Sequence, residues 1–197
     1  MDDFLEQVAT RRHKGLYTLL YILAWFVIVF FGFFGLMMVS SIITANPEGT
    51  GIQFNLIPTV VGVVFVLIAF LTWRRSDYCR VEFEYSFTNG TLDVAQVLNN
   101  KRRRYLTSLN LKEITSCGPC TGPAFQKVLR EPNLKKHNWF LNRDANLYYF
   151  YFTKNGTKHL AVMELTDRMV ELICSKKYLP IGAWTGEAGK IGYGVSR

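Results

Sequence analysis

Cys117-Gly118-Pro119-Cys120 is the stretch of this chain whose residue types and spacing could do chemistry of their own. Two cysteines separated by two residues can cycle between dithiol and disulfide, and the same spacing can supply half of a tetrahedral zinc site. The redox version needs its first thiol at a helix N-terminus, where the helix dipole lowers the thiol pKa. The zinc version needs two more ligands. Cys79 and Cys174 are single residues on the apolar sides or margins of an expected strand and helix, and His137 and His159 have no paired spacing.

A thioredoxin-type site also requires strand, motif and helix in succession, within parallel β-α-β surroundings. Here Gly122-Pro123 follows two residues after Cys120 and would interrupt the first turn of that helix, and Ser116 stands where a tryptophan usually precedes the motif. The downstream chain reads as antiparallel hairpins. The expectation is therefore a proline-kinked turn leaving a strand, with four free thiols in a reducing cytoplasm. A thiol-redox or zinc-binding role for Cys117 and Cys120 is the alternative.

Lys101-Arg102-Arg103-Arg104 is the densest basic run. In a strand, Arg102 and Arg104 point to one face and Arg103 to the other. A charged strand edge that blocks edge-to-edge pairing is one reading; contact of Lys101, Arg102 and Arg104 with anionic lipid headgroups or a protein partner is the other. Lys135-Lys136-His137 is a weaker second cluster. Nucleic-acid binding would interleave basic residues with aromatics, yet Tyr148 to Phe152 contains no Lys or Arg, so core packing is expected there and no nucleic-acid partner. No nucleophile beside a base, carboxylate pair or phosphate-cradling glycine loop is readable. The expectation is a protein that is not an enzyme and carries no cofactor.

Two uncharged apolar blocks surround the chemistry with a different constraint. Leu16 to Ile43 and Leu56 to Trp73 each reach the length needed to cross a bilayer, and neither has a polar stripe for water. A secretory signal is disfavoured, because the chain starts Met-Asp-Asp and the first block far exceeds a signal core. Arg11, Arg12 and Lys14 precede the first block and Arg74 and Arg75 follow the second, whereas the connecting loop carries only Glu48. By the positive-inside rule both termini face the cytoplasm, in a multi-pass protein of the inner (cytoplasmic) membrane. The absence of charge inside either span argues against a transporter or proton channel. Gly32 and Gly35 would permit close helix approach, and assembly with further copies of the chain is compatible with this. From Arg74 onward there are 20 Lys/Arg against 11 Asp/Glu, a balance suited to an anionic membrane surface.

After the second span, Cys79 to Phe87 alternates strictly between apolar and polar residues, as a half-buried strand does. Asn89-Gly90 signals a hairpin into Leu92 to Val97, with a bulge where the alternation slips, and Asn99-Asn100 turns the chain into Arg103 to Leu109. Asn146 to Thr153, Asn155-Gly156 and Thr157 to Glu164 repeat the hairpin pattern, and Leu165 to Lys177 reads as a closing amphipathic helix capped by Thr166 or Asp167. These elements predict a small, mainly β barrel or bent sheet whose open end is plugged by one helix.

The run FEYSFTNGTLDVAQVLNNKRRRYLTSLNLKEI, residues 83 to 114, resembles the opening of bacterial pleckstrin-homology-like (PH-like) domains in uncharacterised Firmicutes, chiefly clostridial, two-span membrane proteins. The short MDDF start, the paired spans and the closing hairpin plus helix extend the resemblance over most of residues 1 to 177. It implies a fold and no catalytic residues. The expected organisation is an N-terminal cytoplasmic segment (1–15), a first transmembrane helix (16–43), an external loop (44–55), a second transmembrane helix (56–73), a cytoplasmic PH-like β domain (74–178) and a flexible glycine-rich tail (179–197). Trp184 and Tyr193 would let that tail dock on a partner. The expected function is a membrane-anchored binding or assembly module.

Overall fold

The computed structural model describes residues 3–45, 52–54, 56–174 and 178–186. The chain divides into two compact units, one formed by Met1–Arg12 with Glu82–Arg197 and the other by His13–Val81.

The second unit is a helical hairpin. Helix α1 spans Lys14–Ser40 and α2 spans Leu56–Ser76, followed by a short 3-10 turn at Asp77–Arg80. At 27 residues, α1 is about 40 Å long. Both helices are apolar and long enough that they could span a membrane, and large side chains such as Phe26, Phe33, Leu36, Ile57 and Leu71 are exposed on them. What α1 and α2 bury is small: Gly35 on one, Gly62, Ala69 and Ser76 on the other. A β-carbon added to Gly62 would lie 2.8 Å from the Gly35 carbonyl oxygen, and one added to Gly35 would lie 2.9 Å from the Gly62 carbonyl oxygen. The helix axes therefore meet backbone to backbone at these two glycines. Strands β2 (Ile43–Ala45) and β3 (Ile52–Phe54) pair antiparallel in the connecting loop.

The first unit holds two four-stranded sheets. In addition to β1 (Phe4–Ala9), the first sheet contains β4 (Val81–Thr88), β5 (Thr91–Leu98) and β6 (Arg102–Asn110), in the order β1-β4-β5-β6. Asn89 and Gly90 both have positive φ, at 46° and 91°, as a two-residue hairpin demands, and the expected bulge falls between Val94 and Ala95. Asn99 and Asn100 turn in the same way. The strand predicted from Cys79 starts at Val81, because Cys79 and Arg80 complete the 3-10 turn and the Arg80 guanidinium lies 4.1 Å above the Tyr21 ring.

The second sheet is ordered β7-β9-β10-β8, from β7 (Ile114–Pro119), β8 (Leu134–Trp139), β9 (Leu147–Lys154) and β10 (Thr157–Glu164). Helix α3 (Pro123–Leu129) lies between β7 and β8 in the chain, and α4 (Asp167–Ile173) follows β10, with Thr166 accepting a hydrogen bond from the Met169 amide at its N-cap. Residues 175–177 of the expected longer helix lie outside the described residues. Between the sheets, Phe83, Tyr85, Phe87, Leu92 and Leu109 meet Cys117, Phe150, Phe152 and Met163, and α4 adds Met169, Val170 and Ile173. The other side of the second sheet is also covered: Tyr149, Leu160 and Val162 pack with Val128, Phe125 and Leu129 of α3. A sheet buried on both faces needs apolar residues at every position, which is why LYYFYF shows no alternation.

The N-terminal segment expected to stand alone is part of this unit. Strand β1 pairs antiparallel with β4, from Phe4 opposite Thr88 to Ala9 opposite Phe83. Gln7 then bridges to the last strand, donating to the Glu164 carbonyl and accepting from the Thr166 amide at 2.9 Å each. Asn142 donates to the Thr10 carbonyl and the Glu164 carboxylate, and Arg12 pairs with Asp144 at 2.8 Å.

Candidate functional site

The first three residues of the Cys-Gly-Pro-Cys motif lie in a strand. Cys117 is fully buried in the cluster between the sheets, on β7 opposite Phe150 of β9. Cys120, past the end of β7, packs with the cluster on the other side of the sheet. The two thiols thus belong to opposite faces of one sheet. A helix does follow, but α3 begins at Pro123, which suits a first helical turn rather than interrupting one, six residues after Cys117. Burial pushes both thiols up to about 12, the reverse of thiolate activation. A cavity of about 670 Å³ is lined by Pro119 and Thr121 but by neither cysteine. These observations give the thiol-redox reading no support, and no group of three or more metal-ligating side chains occurs among the described residues.

What the motif does is hold the C-terminal segment. Ala183 to Thr185 lie along the free edge of β7: the Cys117 amide donates to the Ala183 carbonyl at 2.8 Å and the Thr185 amide to the Cys117 carbonyl at 2.9 Å. The Thr185 hydroxyl donates to the same carbonyl and shares a 2.8 Å hydrogen bond with the Tyr149 hydroxyl, itself 2.9 Å from Ser116 Oγ. Trp184 stacks on Tyr148. The segment expected to be a flexible tail is therefore docked as far as Gly186, and Trp184 docks on its own chain; Tyr193 lies outside the described residues. A β-carbon on Gly118 would come within 2.3 Å of Thr185 Oγ1, so the glycine makes room for the strap. Pro119 has no N–H to offer beyond it.

Replacing the two cysteines separately distinguishes packing from chemistry. Cys117→Ser places a hydroxyl among apolar side chains and is expected to cost about 1–3 kcal/mol in thermal or denaturant unfolding. Cys120→Ser, at the partly exposed margin of its cluster, is expected to cost less than about 1 kcal/mol. A redox pair would give equal losses of one activity from either substitution.

The basic run occupies the exposed end of edge strand β6. Lys101 and Arg102 to Tyr105 are all exposed, whereas Thr107 and Leu109 further along are buried. Arg103 reaches Glu84 at 2.8 Å. Lys101, Arg102 and Arg104 form no ion pair among the described residues, and Tyr105 is 62% exposed beside them. Three solvated cations and an exposed phenol share the tip of one hairpin.

The structure also joins two residues that sequence spacing left apart. The parallel pairing of β8 with β10 sets His159 opposite Lys135 and Ala161 opposite His137, and His137 Nε2 comes to rest 2.9 Å from His159 Nδ1. No periodicity along one strand announces a pair separated by 22 residues and a parallel crossover.

Compared with known proteins, the chain matches one family model, Bacterial PH-like domain (DUF6106), over residues 1–180. No curated protein and no solved structure matches it.

Proposed function

We propose a binding function for this chain, which belongs to the bacterial PH-like domain family: it is a membrane-anchored module whose β unit engages anionic headgroups or an acidic protein surface through the tip of the β5–β6 hairpin. The observation that carries the reading is the cluster of Lys101, Arg102 and Arg104, exposed, without ion-pair partners among the described residues and next to Tyr105 in the strand. Each such cation near an anionic surface contributes about 1 kcal/mol, and an aromatic phenol favours the same interfacial depth.

The anchor is the α1–α2 hairpin. Strand β1 precedes α1 and β4 follows α2, yet the two pair in one sheet. A chain that leaves the β unit after Arg12 and returns to it at Glu82 must cross any bilayer an even number of times. With Arg11, Arg12 and Lys14 before the first helix and Arg74 and Arg75 at the end of the second, this supports two spans with the β unit on the cytoplasmic side.

The test uses the full chain in lipid nanodiscs of graded phosphatidylserine content. Hydrogen exchange of residues 99–105 is expected to slow by roughly tenfold as anionic lipid rises, and the Lys101→Ser, Arg102→Ser, Arg104→Ser triple variant is expected to lose that response. If only the triple variant also loses a protein partner recovered with wild type from the native membrane, while exchange ignores lipid charge, the surface serves a protein instead. Exchange and partners alike unchanged by the triple substitution would defeat the reading.

A further inference from the structure

Four rings stand in a row on the inner side of the second sheet: Trp139, His137, His159 and Phe152. Successive centroids are 5.0, 5.2 and 5.3 Å apart, and the interplanar angles are 27°, 9° and 10°. At the centre of the row, His137 Nε2 and His159 Nδ1 are 2.9 Å apart. That contact is a hydrogen bond only while one nitrogen carries a proton and the other offers a lone pair. If both imidazoles are protonated, two N–H groups and two positive charges face each other instead. The strand this contact secures is exposed to the consequence, because β8 lies at the edge of its sheet and is joined to it through β10 alone.

We propose that His137 and His159 form a proton-operated latch, which holds edge strand β8 on β10 while the pair shares one N–H and releases it when both rings are protonated. The charged groups around the pair oppose a second proton. Lys135 on β8 and Lys154 at the end of β9 are the cations whose fields reach it. Glu113 lies across the crevice that contains Phe152 and Lys154, and Lys158, the neighbour of His159, is tied to Glu131 at 2.7 Å. Among the described residues neither imidazole bonds a carboxylate.

The direction of the pH effect follows. Desolvation lowers both imidazole pKa values, helped at His137 by the charges of His159 and Lys135 and at His159 by those of Lys135 and Lys154. A released strand has ordinary histidines, near 6.5, and so takes up protons more readily than the latched one. The latch is therefore fully effective above about pH 6.5 and is lost as the pH falls through the lowered values. Release would uncover the edge of β10, a row of backbone groups able to accept a strand from another chain.

Hydrogen exchange of the full chain in nanodiscs, corrected for intrinsic rates, tests this at pH 7.5 and 5.5. In wild type, protection of residues 134–139 is expected to fall about tenfold more than that of β5, and in His137→Gln or His159→Gln, which cannot acquire the second charge, to change no more than β5 does. Equal change in β8 and β5 of wild type, or glutamine variants that follow wild type, would overturn the latch. Should either variant fail to fold, imidazole NMR of wild type decides alone. Two coupled titrations below the ordinary histidine range are expected, and two independent curves at about 6.5 would overturn the proposal.

Discussion

Substitution of Gly62 by leucine is expected to pull α1 away from α2 and to be the most damaging single change in the helical unit. Even the first added carbon would sit 2.8 Å from both the Gly35 carbonyl oxygen and Met38 Cβ, and 2.9 Å from the Val39 nitrogen. Two of these atoms belong to the backbone of a regular helix and cannot move without shifting the whole element. Overpacking of this kind costs about 1–3 kcal/mol, and leucine, which adds three carbons more, is expected at or above the upper end. In a bilayer or micelle the apolar surroundings would offer the helices no hydrophobic gain from associating, and close backbone packing would then be most of what holds the pair together. The midpoint of unfolding by SDS, followed by helical circular dichroism in mixed micelles, measures the effect.

The three glycines at this face provide their own control. Gly32 resembles Gly35 in sequence, but a β-carbon on it would meet only Ala69 Cβ, at an ordinary 3.9 Å. Gly32→Ala is therefore expected to be neutral or to stabilise by about 0.5–1 kcal/mol through helix propensity, whereas Gly35→Ala is expected to destabilise. An unchanged midpoint in Gly62→Leu, or equal effects of alanine at positions 32 and 35, would mean that the helices do not meet where the glycines place them.

Which parts of this architecture could be read from sequence depends on how local their causes are. The helical hairpin was legible because apolarity without a stripe is written continuously through Leu16 to Ile43 and Leu56 to Trp73. The two Asn-Gly hairpins were legible because positive φ at two successive residues narrows the choice of residue types. Strand β1 was not, since FLEQVA is short and its partner β4 lies nearly eighty residues away, beyond both helices. Strand β8 was hidden for a related reason: LKKHNW has no apolar alternation and pairs in parallel with β10, with β9 lying between the two in the chain.

The candidate sites divide in the same way. The exposed charges of Lys101, Arg102 and Arg104 could be anticipated, because a run of cations at a turn has nowhere to go but solvent. The meaning of Cys-Gly-Pro-Cys could not, because it depends on Ala183 to Thr185, a segment with no periodicity of its own. The flanks misled on one point, because Pro123 opens α3 instead of breaking it; what sets Cys117 apart from an activated thiol is its burial in β7, six residues before that helix starts. The positive role, a glycine left bare so that another stretch of chain can cross it, is a property of two segments together.

Gly118→Val is accordingly expected to eject the strap and to make Cys117 reactive, although the substitution adds no charge and removes no hydrogen-bonding group. Its first side-chain carbon would overlap Thr185 Oγ1 at 2.3 Å and crowd the Gly186 nitrogen at 3.3 Å. Thr185 Oγ1 cannot simply turn aside, since it donates to the Cys117 carbonyl and is bonded to the Tyr149 hydroxyl. Loss of the strap removes the two backbone hydrogen bonds to Cys117 as well. Four hydrogen bonds at about 0.5–1.5 kcal/mol each amount to some 2–6 kcal/mol, offset in part by the freedom the segment regains. A net 3 kcal/mol corresponds to roughly a hundredfold in the opening equilibrium, and labelling of Cys117 by a maleimide at pH 8 is expected to accelerate by about that factor. Thr185→Ala, which sacrifices the side-chain bonds but leaves the backbone pair in place, is expected to accelerate labelling by less than about tenfold. Ejection without any change in Cys117 labelling would show that the sheets alone bury the thiol; no ejection at all, read from hydrogen exchange of residues 183–186, would show that Gly118 is spared a side chain for some reason other than the strap.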